Sequence, residues 1–353
     1  MVNIITIILI FCIVLFIYLH VYFHYKTSND LEVYEIDQPS KYKLEEICDL
    51  RQPVVFMFNN ENIVSTCNNE NINNSYGGIE INFRNTKKTT YNEELYIPLS
   101  FNNALNVVKK DKESQYITEN NKDFLDETGL GKCFKCNDMF LRPYMMSCSE
   151  YDYLFGSSNA TTPFRYNLNY RNYYYVTHGE IKLKLAPPKC VKYLYENKDY
   201  ENFEFNSPLN PWDIQSQYKN DFDKINCLEV IIKKGQIIFI PAFWWYSIKF
   251  LSDSSVCSFK YRTYMNDISL MPYTILKVLQ SQNIKRNRFN SLILKKNSPI
   301  NDVPINDVPI NDVPINDVPI NDVPINDVPI NNVPINNVPI NNVLINDVPN
   351  STI

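Results

Sequence analysis

The sequence predicts a mainly β domain, folded as an antiparallel sandwich or barrel, between a membrane-spanning helix and a tail without a core. Three observations support this. An uncharged apolar run fills residues 4–25, and a five-residue repeat fills the chain from Pro299. Between Tyr153 and Tyr264, short β-rich runs follow one another without the spacing of βαβ units. The 353 residues suffice for one sizeable core with appendages.

The apolar run at residues 4–25, IITIILIFCIVLFIYLHVYFHY, contains no Asp, Glu, Lys or Arg. A helix of that length is roughly 30 Å long, which matches the hydrocarbon thickness of a bilayer. Tyr18, Tyr22 and Tyr25 lie at its C-terminal end, as in an interfacial aromatic belt. A cleaved signal peptide would have a basic start, a shorter apolar region and a small-residue cleavage site. We therefore expect an uncleaved single-pass anchor, joined to the body by a polar linker over residues 26–40.

Nine cysteines, an odd number at irregular spacing, argue against a disulfide scaffold. Cys133 and Cys136 form a lone CxxC, and a structural zinc site would need two further ligands. We interpret them as incidental thiols. Reduced cysteines favour a cytosolic body, whereas the charges flanking the apolar run leave its orientation nearly open.

The main domain is expected over residues 41–298. Residues 41–51, 101–126 and 268–296 have helical patterns, and residues 52–58, QPVVFMF, form a β-rich run that predicts a buried strand. The net charge is −5, and removing the seven Asp of the tail, which has no Lys, Arg or Glu, leaves a body of +2. This near-neutral body does not indicate a nucleic-acid surface.

The tail over residues 299–349 repeats PINDV and then PINNV. Proline at nearly every fifth position prevents a helix and disfavours a central strand, and the tail has no aromatic residue for a core. We expect an extended, disordered or polyproline-like segment. The alternative is a solenoid, in which the Ile and Val of each repeat would form a buried row.

Three blocks carry a resemblance to a known family: YDYLFGSSNATTPFRYN, NYYYVTHGEIKLKLAPP and KKGQIIFIPAFWWYSIKF. They resemble the cupin-like domain of the JmjC type, from the superfamily of iron- and 2-oxoglutarate-dependent protein hydroxylases and demethylases. The resemblance runs from about Lys41 to about Asn266 and implies a double-stranded β-helix, a jelly roll of two facing sheets. With its AT-rich residue bias towards Asn, Ile, Lys and Tyr, the chain is similar to the family's membrane-anchored members in large DNA viruses.

The resemblance also implies where iron ligands would stand. Active members hold Fe(II) with a His-x-Asp/Glu pair and a distant second His. In this chain those positions hold Arg165 and Asn167, in TPFRYN, and Tyr246, after the Trp pair. A permanent cation at the first position would repel a metal. Only one of the three histidines, His178, lies in the body, and we expect it to be an ordinary half-exposed residue; a two-His site cannot be built there from one chain.

Two further family positions concern the 2-oxoacid. Asn172 matches a strand asparagine that often helps to hold it. The lysine position is Lys182 when counted from Gly179, but Ile181 when counted back from Pro187 and Pro188. Neighbouring strand residues face opposite sides, so only one of the two points inward.

We expect Arg165, Asn167 and Tyr246 to meet inside the barrel mouth. A buried Arg needs a partner: an acidic side chain, carbonyl groups or a bound anion. Arg165 either takes the metal's place and holds the barrel together, or clamps a small anionic ligand together with Asn172, Lys182 and Tyr246.

The expected function is a membrane-anchored, non-catalytic cupin-like module for binding or assembly, in a host or virion membrane. It has no catalytic residues, metal or cofactor; its partners are the bilayer and a protein or small anion, not nucleic acid. The alternative is an Fe(II)- and 2-oxoglutarate-dependent hydroxylase of the JmjC type, with an atypical site whose ligands come from cysteines or carboxylates.

Overall fold

The computed structural model describes residues 2–87, 96–200, 202–251 and 253–282. The predicted tail and the end of the predicted closing helices lie outside the described residues. The helices are α1 Val2–Tyr25, α2 Lys41–Cys48, α3 Glu61–Thr66, α4 Asn69–Tyr76, α5 Phe101–Lys110, α6 Lys122–Thr128, α7 Leu130–Asn137, α8 Lys219–Phe222 and α9 Tyr264–Ser269. Short 3-10 helices span Pro188–Tyr193 and Ser216–Tyr218, and residues 271–282 are helical as far as they are described.

Within the described residues, fifteen strands form two sheets. They are β1 Tyr34–Ile36, β2 Val54–Met57, β3 Glu80–Asn85, β4 Ile97–Ser100, β5 Tyr116–Thr118, β6 Met146–Gly156, β7 Phe164–Tyr166, β8 Arg171–His178, β9 Glu180–Ala186, β10 Asn197–Asp199, β11 Glu204–Ser207, β12 Leu228–Lys233, β13 Gln236–Phe239, β14 Trp245–Phe250 and β15 Ser255–Thr263. The large sheet has the order β1-β2-β13-β8-β15-β6-β5-β3-β4, and the small sheet β10-β11-β7-β14-β9-β12. Apart from the β1–β2 pair, the strands pair antiparallel, which confirms the predicted mainly β fold.

The pleat divides the core into layers, because alternate residues of a strand face opposite sides. One set lies between the two sheets, for example Tyr174 and Val176 of β8 with Ile181 and Leu183 of β9. The neighbouring residues Tyr173 and Tyr175 pack on the other side, with helices α2 to α7. A third cluster covers the outer face of the small sheet; it includes Phe164, Tyr166, Phe205 and Trp245.

The helical pattern predicted over residues 101–126 is interrupted. Helix α5 ends at Lys110, β5 follows, and α6 begins at Lys122. Asp111 accepts hydrogen bonds from the backbone N–H groups of Glu113 and Gln115, which turns the chain out of the helix. Strand β5 then pairs with both β3 and β6, so pairing over long range overrides the local pattern.

Helix α1 is the one helix of the described residues long and apolar enough to cross a membrane, over Asn3–Tyr25; a signal sequence meets the same test. Most of its side chains are exposed, but its last turn packs on the body. His24 is buried, with Nε2 3.0 Å from the Asn266 amide nitrogen, and the Tyr25 hydroxyl donates to the carbonyl of Ser269 at 2.7 Å. Both rings contact Phe243, of the Pro-Ala-Phe-Trp-Trp block, with centroids 5.8 Å apart.

Candidate functional site

Arg165, Asn167 and Tyr246 meet at one end of the barrel. Arg165 lies in the centre of β7 and pairs directly with Tyr246 of β14. Asn167 follows β7 two residues after Arg165, a spacing that puts both on one face in extended backbone. The Arg165 guanidinium lies 5.8 Å from the centre of the Tyr246 ring.

Asn167 and Tyr246 form a closed triangle with Tyr174 of β8. The Asn167 amide donates to both phenol oxygens at 3.0 Å, and the Tyr174 hydroxyl donates to that of Tyr246 at 2.7 Å. Burial raises the pKa of Tyr174 well above its ordinary value, which keeps this phenol protonated. The triangle links β7, β8 and β14 through neutral hydrogen bonds, and so joins the two sheets.

Arg165 belongs to a buried network of four charges. Its Nη2 lies 2.5 Å from Glu119 Oε2, and its Nη1 lies 3.7 Å from Glu204 Oε1. Arg84 of β3 approaches the same two carboxylates, at 2.7 Å from Glu119 and 3.3 Å from Glu204. The two positive guanidinium charges balance the two negative carboxylate charges. Of the three kinds of partner that the sequence analysis allowed for Arg165, the structure has an acidic side chain.

The charges of this network determine the ionisation of Glu119, whose side chain is 1% exposed. Burial by itself would raise the pKa of Glu119, but the charges of Arg165 and Arg84 outweigh it and lower the pKa to about 2. The Tyr96 hydroxyl also donates to Glu119 Oε1, at 3.1 Å. The carboxylate therefore stays ionised at neutral pH, with its oxygens already bonded.

A cavity of about 60 Å³ lies beside this network. Its wall includes Arg165, Asn167, Asp152 and Lys260. The carboxylate of Asp152 accepts hydrogen bonds from the backbone N–H groups of Asn120 and Asn121, at 2.8 and 2.9 Å. The cavity has room for a few water molecules.

Lys182 does not join this group. In β9, Ile181 is fully buried between the sheets, whereas Lys182 lies on the outer face of the small sheet and pairs with Glu229 at 2.5 Å. Of the two residues that the sequence offered for the lysine position, Ile181 is the one that points inward.

Asn172 is buried but does not line the cavity. Its amide donates to the carbonyls of Asn169 and Ile240, at 3.1 and 3.2 Å.

Sequence reasoning missed Glu119, Glu204, Arg84, Asp152 and Lys260. Glu119 follows β5, and Arg84 lies on β3, both upstream of the three blocks that carry the resemblance. Asp152 lies within the first of these blocks, and no motif marks the other four residues. The only signal was the physical demand that a buried guanidinium have a counter-charge.

The residues present do not fit the iron that the resemblance implies. The three ligand positions hold a guanidinium, an amide and a phenol, and the guanidinium repels a cation. The described residues contain no group of three or more His, Cys, Asp or Glu that could hold a metal ion. His178 is exposed at the end of β8, and the other two histidines lie in α1.

Comparison with known families identifies the chain. A family model described as "Cupin-like domain" matches residues 39–263, which is more than half of the sequence. The chain therefore belongs to the cupin-like domain family, and the resemblance is confirmed at that level. A comparison with curated proteins gives no match.

Proposed function

We propose that this chain is a membrane-anchored, non-catalytic cupin-like protein that serves in binding or assembly. The observation that carries the proposal is the ion pair of Arg165 with Glu119, at the position where the family's first iron ligand would stand. A salt-bridge network and a hydrogen-bonded triangle take the place of a metal in joining the strands of the barrel mouth. The barrel then acts as a rigid body without iron or 2-oxoglutarate.

The network also argues against Arg165 as a clamp for a free anion. Its guanidinium already has carboxylate partners, and the cavity beside it also has Asp152 in its wall. A ligand carboxylate would have to displace Glu119 or enter a space of about 60 Å³. The protein's thermal midpoint should therefore not shift with 2-oxoglutarate or similar acids.

Metal binding tests the proposal directly. Full-length protein is purified in detergent, loaded with Fe(II) without oxygen, desalted and analysed for metal, and then assayed for succinate release from 2-oxoglutarate. We expect neither stoichiometric iron nor turnover. The matched control is the triple variant R165H/N167D/Y246H, which restores the family's donor set. Stoichiometric iron with succinate release by the unaltered chain would overturn the proposal in favour of an atypical hydroxylase.

The membrane anchor is supported by the packing of the last turn of α1. Cleavage of a signal sequence near Tyr25 would remove the groups that cover Phe243 and bond Ser269. We therefore expect α1 to stay on the mature chain and to resist extraction by alkaline carbonate. An intact mass lacking residues 1–25, or release into the carbonate supernatant, would refute the anchor.

We propose that the body faces the cytosol, in a host or virion membrane of a large DNA virus. All nine cysteines are free, as expected in a reducing compartment. Asn159 begins an Asn-Ala-Thr sequon and is exposed, so a lumenal body should carry a glycan there. Glycosidase digestion of the chain expressed in mammalian cells tests which side of the membrane the body faces. Mass spectrometry of purified virus particles tests whether the protein is present in the virion.

A further inference from the structure

Arg51 differs from the other buried arginines of the described residues. It is 2% exposed, and its three guanidinium nitrogens have no hydrogen-bond partner among those residues. Arg84, Arg165 and Arg171 each contact at least one carboxylate. The Arg51 guanidinium lies instead between two rings, 5.0 Å from the centre of Phe23 and 4.7 Å from that of Tyr170. Ring contacts do not replace an ion pair, and no carboxylate of the described residues forms one with Arg51.

The fold holds Arg51 in this place. Its φ is +59°, in the left-handed region that side-chain-bearing residues rarely adopt. The Trp244 indole donates to its carbonyl at 3.1 Å, and its own N–H donates to the carbonyl of Cys48. Trp244 belongs to the Pro-Ala-Phe-Trp-Trp block, next to the Phe243 that receives the end of α1. The Trp244 contact comes from a segment distant in sequence, so the tertiary fold fixes the backbone at Arg51.

A cavity of about 410 Å³ adjoins Arg51. Its wall is formed by residues 26–30, which directly follow α1, together with Leu50 and Arg51. That volume is in the range of small-ligand sites. Lys26, Arg51 and Asp30 are the charged residues of the wall, so it has a net charge of +1.

The neighbouring carboxylates are engaged elsewhere. Asp30 Oδ2 accepts hydrogen bonds from Gln52 Nε2 and Ser28 Oγ, both at 3.0 Å. Asp49 Oδ1 lies 2.6 Å from Arg171 Nη2 and also accepts from the Tyr170 hydroxyl at 3.0 Å. Burial, and then the charge of Arg171, lower the pKa of Arg51, and the nearby carboxylate of Asp49 offsets only part of this effect.

We propose that this cavity binds a phosphate group, held by Arg51 and Lys26, and that the phosphate belongs to an anionic membrane lipid. A guanidinium fork matches the geometry of phosphate oxygens. The cavity follows the last residue of the apolar helix, where a membrane span reaches the headgroup level. The lipid assignment rests on the proposed anchor, whereas the phosphate site itself does not.

The segment after α9 supports a bilayer near this end of the body. Helix α9 is tied to the end of α1 by the Tyr25–Ser269 hydrogen bond. Its continuation exposes large apolar side chains: Met271, Ile275, Leu276, Val278 and Leu279, each 43% exposed or more. Lipid chains would cover these groups, as they would cover α1.

The test uses the full chain in nanodiscs of neutral phosphatidylcholine, with or without about one-fifth phosphatidylglycerol. Native mass spectrometry counts retained lipid, and the thermal midpoint reports stabilisation. We expect one retained phosphatidylglycerol and a higher midpoint with the anionic lipid. The R51Q variant should lose both the retained phosphatidylglycerol and the rise in midpoint, because its affinity for the anionic lipid should fall by at least about tenfold. The K26Q variant should lose only part of the stabilisation. K234Q removes an exposed charge outside the cavity wall and should behave as the unaltered chain.

A second arm separates the sources of the phosphate. Inorganic phosphate and glycerol 3-phosphate are titrated onto the chain in neutral nanodiscs. Arg51-dependent stabilisation by these ions, without preference for anionic lipid, would overturn the lipid assignment. If neither arm depends on Arg51, the phosphate site is overturned. The R51K variant keeps the positive charge without the guanidinium fork, and it serves as the second variant if R51Q does not fold. Release of the chain by alkaline carbonate would refute the membrane anchor. The titration with inorganic phosphate and glycerol 3-phosphate would still test the phosphate site.

Discussion

Arg165 lies where the resemblance to the family places the first ligand for iron, and its own side chain is a cation. Its side chain is 12% exposed, and the fold accommodates it with Glu119 and Glu204. Arg84 balances the second negative charge. A buried ion pair contributes little net stability compared with apolar residues, but removal of one partner leaves an uncompensated charge. Removal of any one of these four charged side chains should therefore destabilise the fold.

The first prediction concerns Glu119. E119Q should lower the free energy of unfolding by about 3–5 kcal/mol, because Arg84 and Arg165 would lose their shared carboxylate. Denaturation in urea, followed by tryptophan fluorescence in detergent, measures the change. E46Q, in the exposed Lys43–Glu46 pair, should change little. An E119Q chain as stable as E46Q would show that the network is not coupled to folding.

The second prediction is the acid dependence. The pKa of Glu119 is about 2 in the fold and about 4.3 in an unfolded chain. Because the folded pKa is the lower one, Glu119 contributes stability above about pH 4.3, and that stability is lost as pH falls towards 2. E119Q should flatten the acid side of a plot of unfolding free energy against pH. Asp152 acts in the opposite direction, since burial raises its pKa. Parallel curves for E119Q and the unaltered chain would contradict the prediction.

At the scale of the element, the pleat of β9 decides which residue faces the barrel. Counting along the sequence left Ile181 and Lys182 as equal choices. The core between the sheets takes Ile181, Leu183 and Leu185, so the lysines at 182 and 184 face outward, where Glu229 pairs with both. A register shift of one residue would bury the lysines instead, and burying unpaired charges is unfavourable.

The third prediction concerns the turn between β8 and β9. Gly179 has a φ of +67°, and a Cβ there would lie 2.8 Å from the backbone oxygen of Asp253. G179A should therefore lower the free energy of unfolding by about 1–3 kcal/mol. G78A is the matched control, because no atom lies within 4 Å of its added Cβ and its φ is outside the left-handed region. Equal stability of the two variants would show that the turn relaxes.

At the scale of the whole molecule, the apolar helix and the cupin-like body are joined by packing as well as by the linker. The aromatic block of the sequence serves several contacts. Phe243 receives His24 and Tyr25, Trp244 holds Arg51, and Tyr246 joins the barrel triangle. The body is thereby held against the end of the apolar helix α1.

The fourth prediction tests that packing. H24A/Y25A removes the hydrogen bond to Ser269 and the ring contacts with Phe243. In nanodiscs, trypsin should cleave after Lys26 roughly fivefold faster, as expected for about 1 kcal/mol of lost docking. Retention in the membrane should not change, because the apolar span is intact. Y18A, at an exposed position of α1, is the control; equal cleavage of both variants would contradict the docking.

The sequence by itself determined the features that depend on local composition and order. These are the apolar helix, the mainly β class, the family, and the expectation that Arg165, Asn167 and Tyr246 lie together. The period of apolar residues and the spacing of motif residues along the chain indicate such features directly. The tertiary structure alone decided that Glu119, 46 residues before Arg165, is its partner, that Lys182 faces outward, and that the Arg51 guanidinium has no hydrogen-bond partner among the described residues. Partners of buried charges come from segments distant in sequence, and only the packing of the sheets brings them within bonding distance.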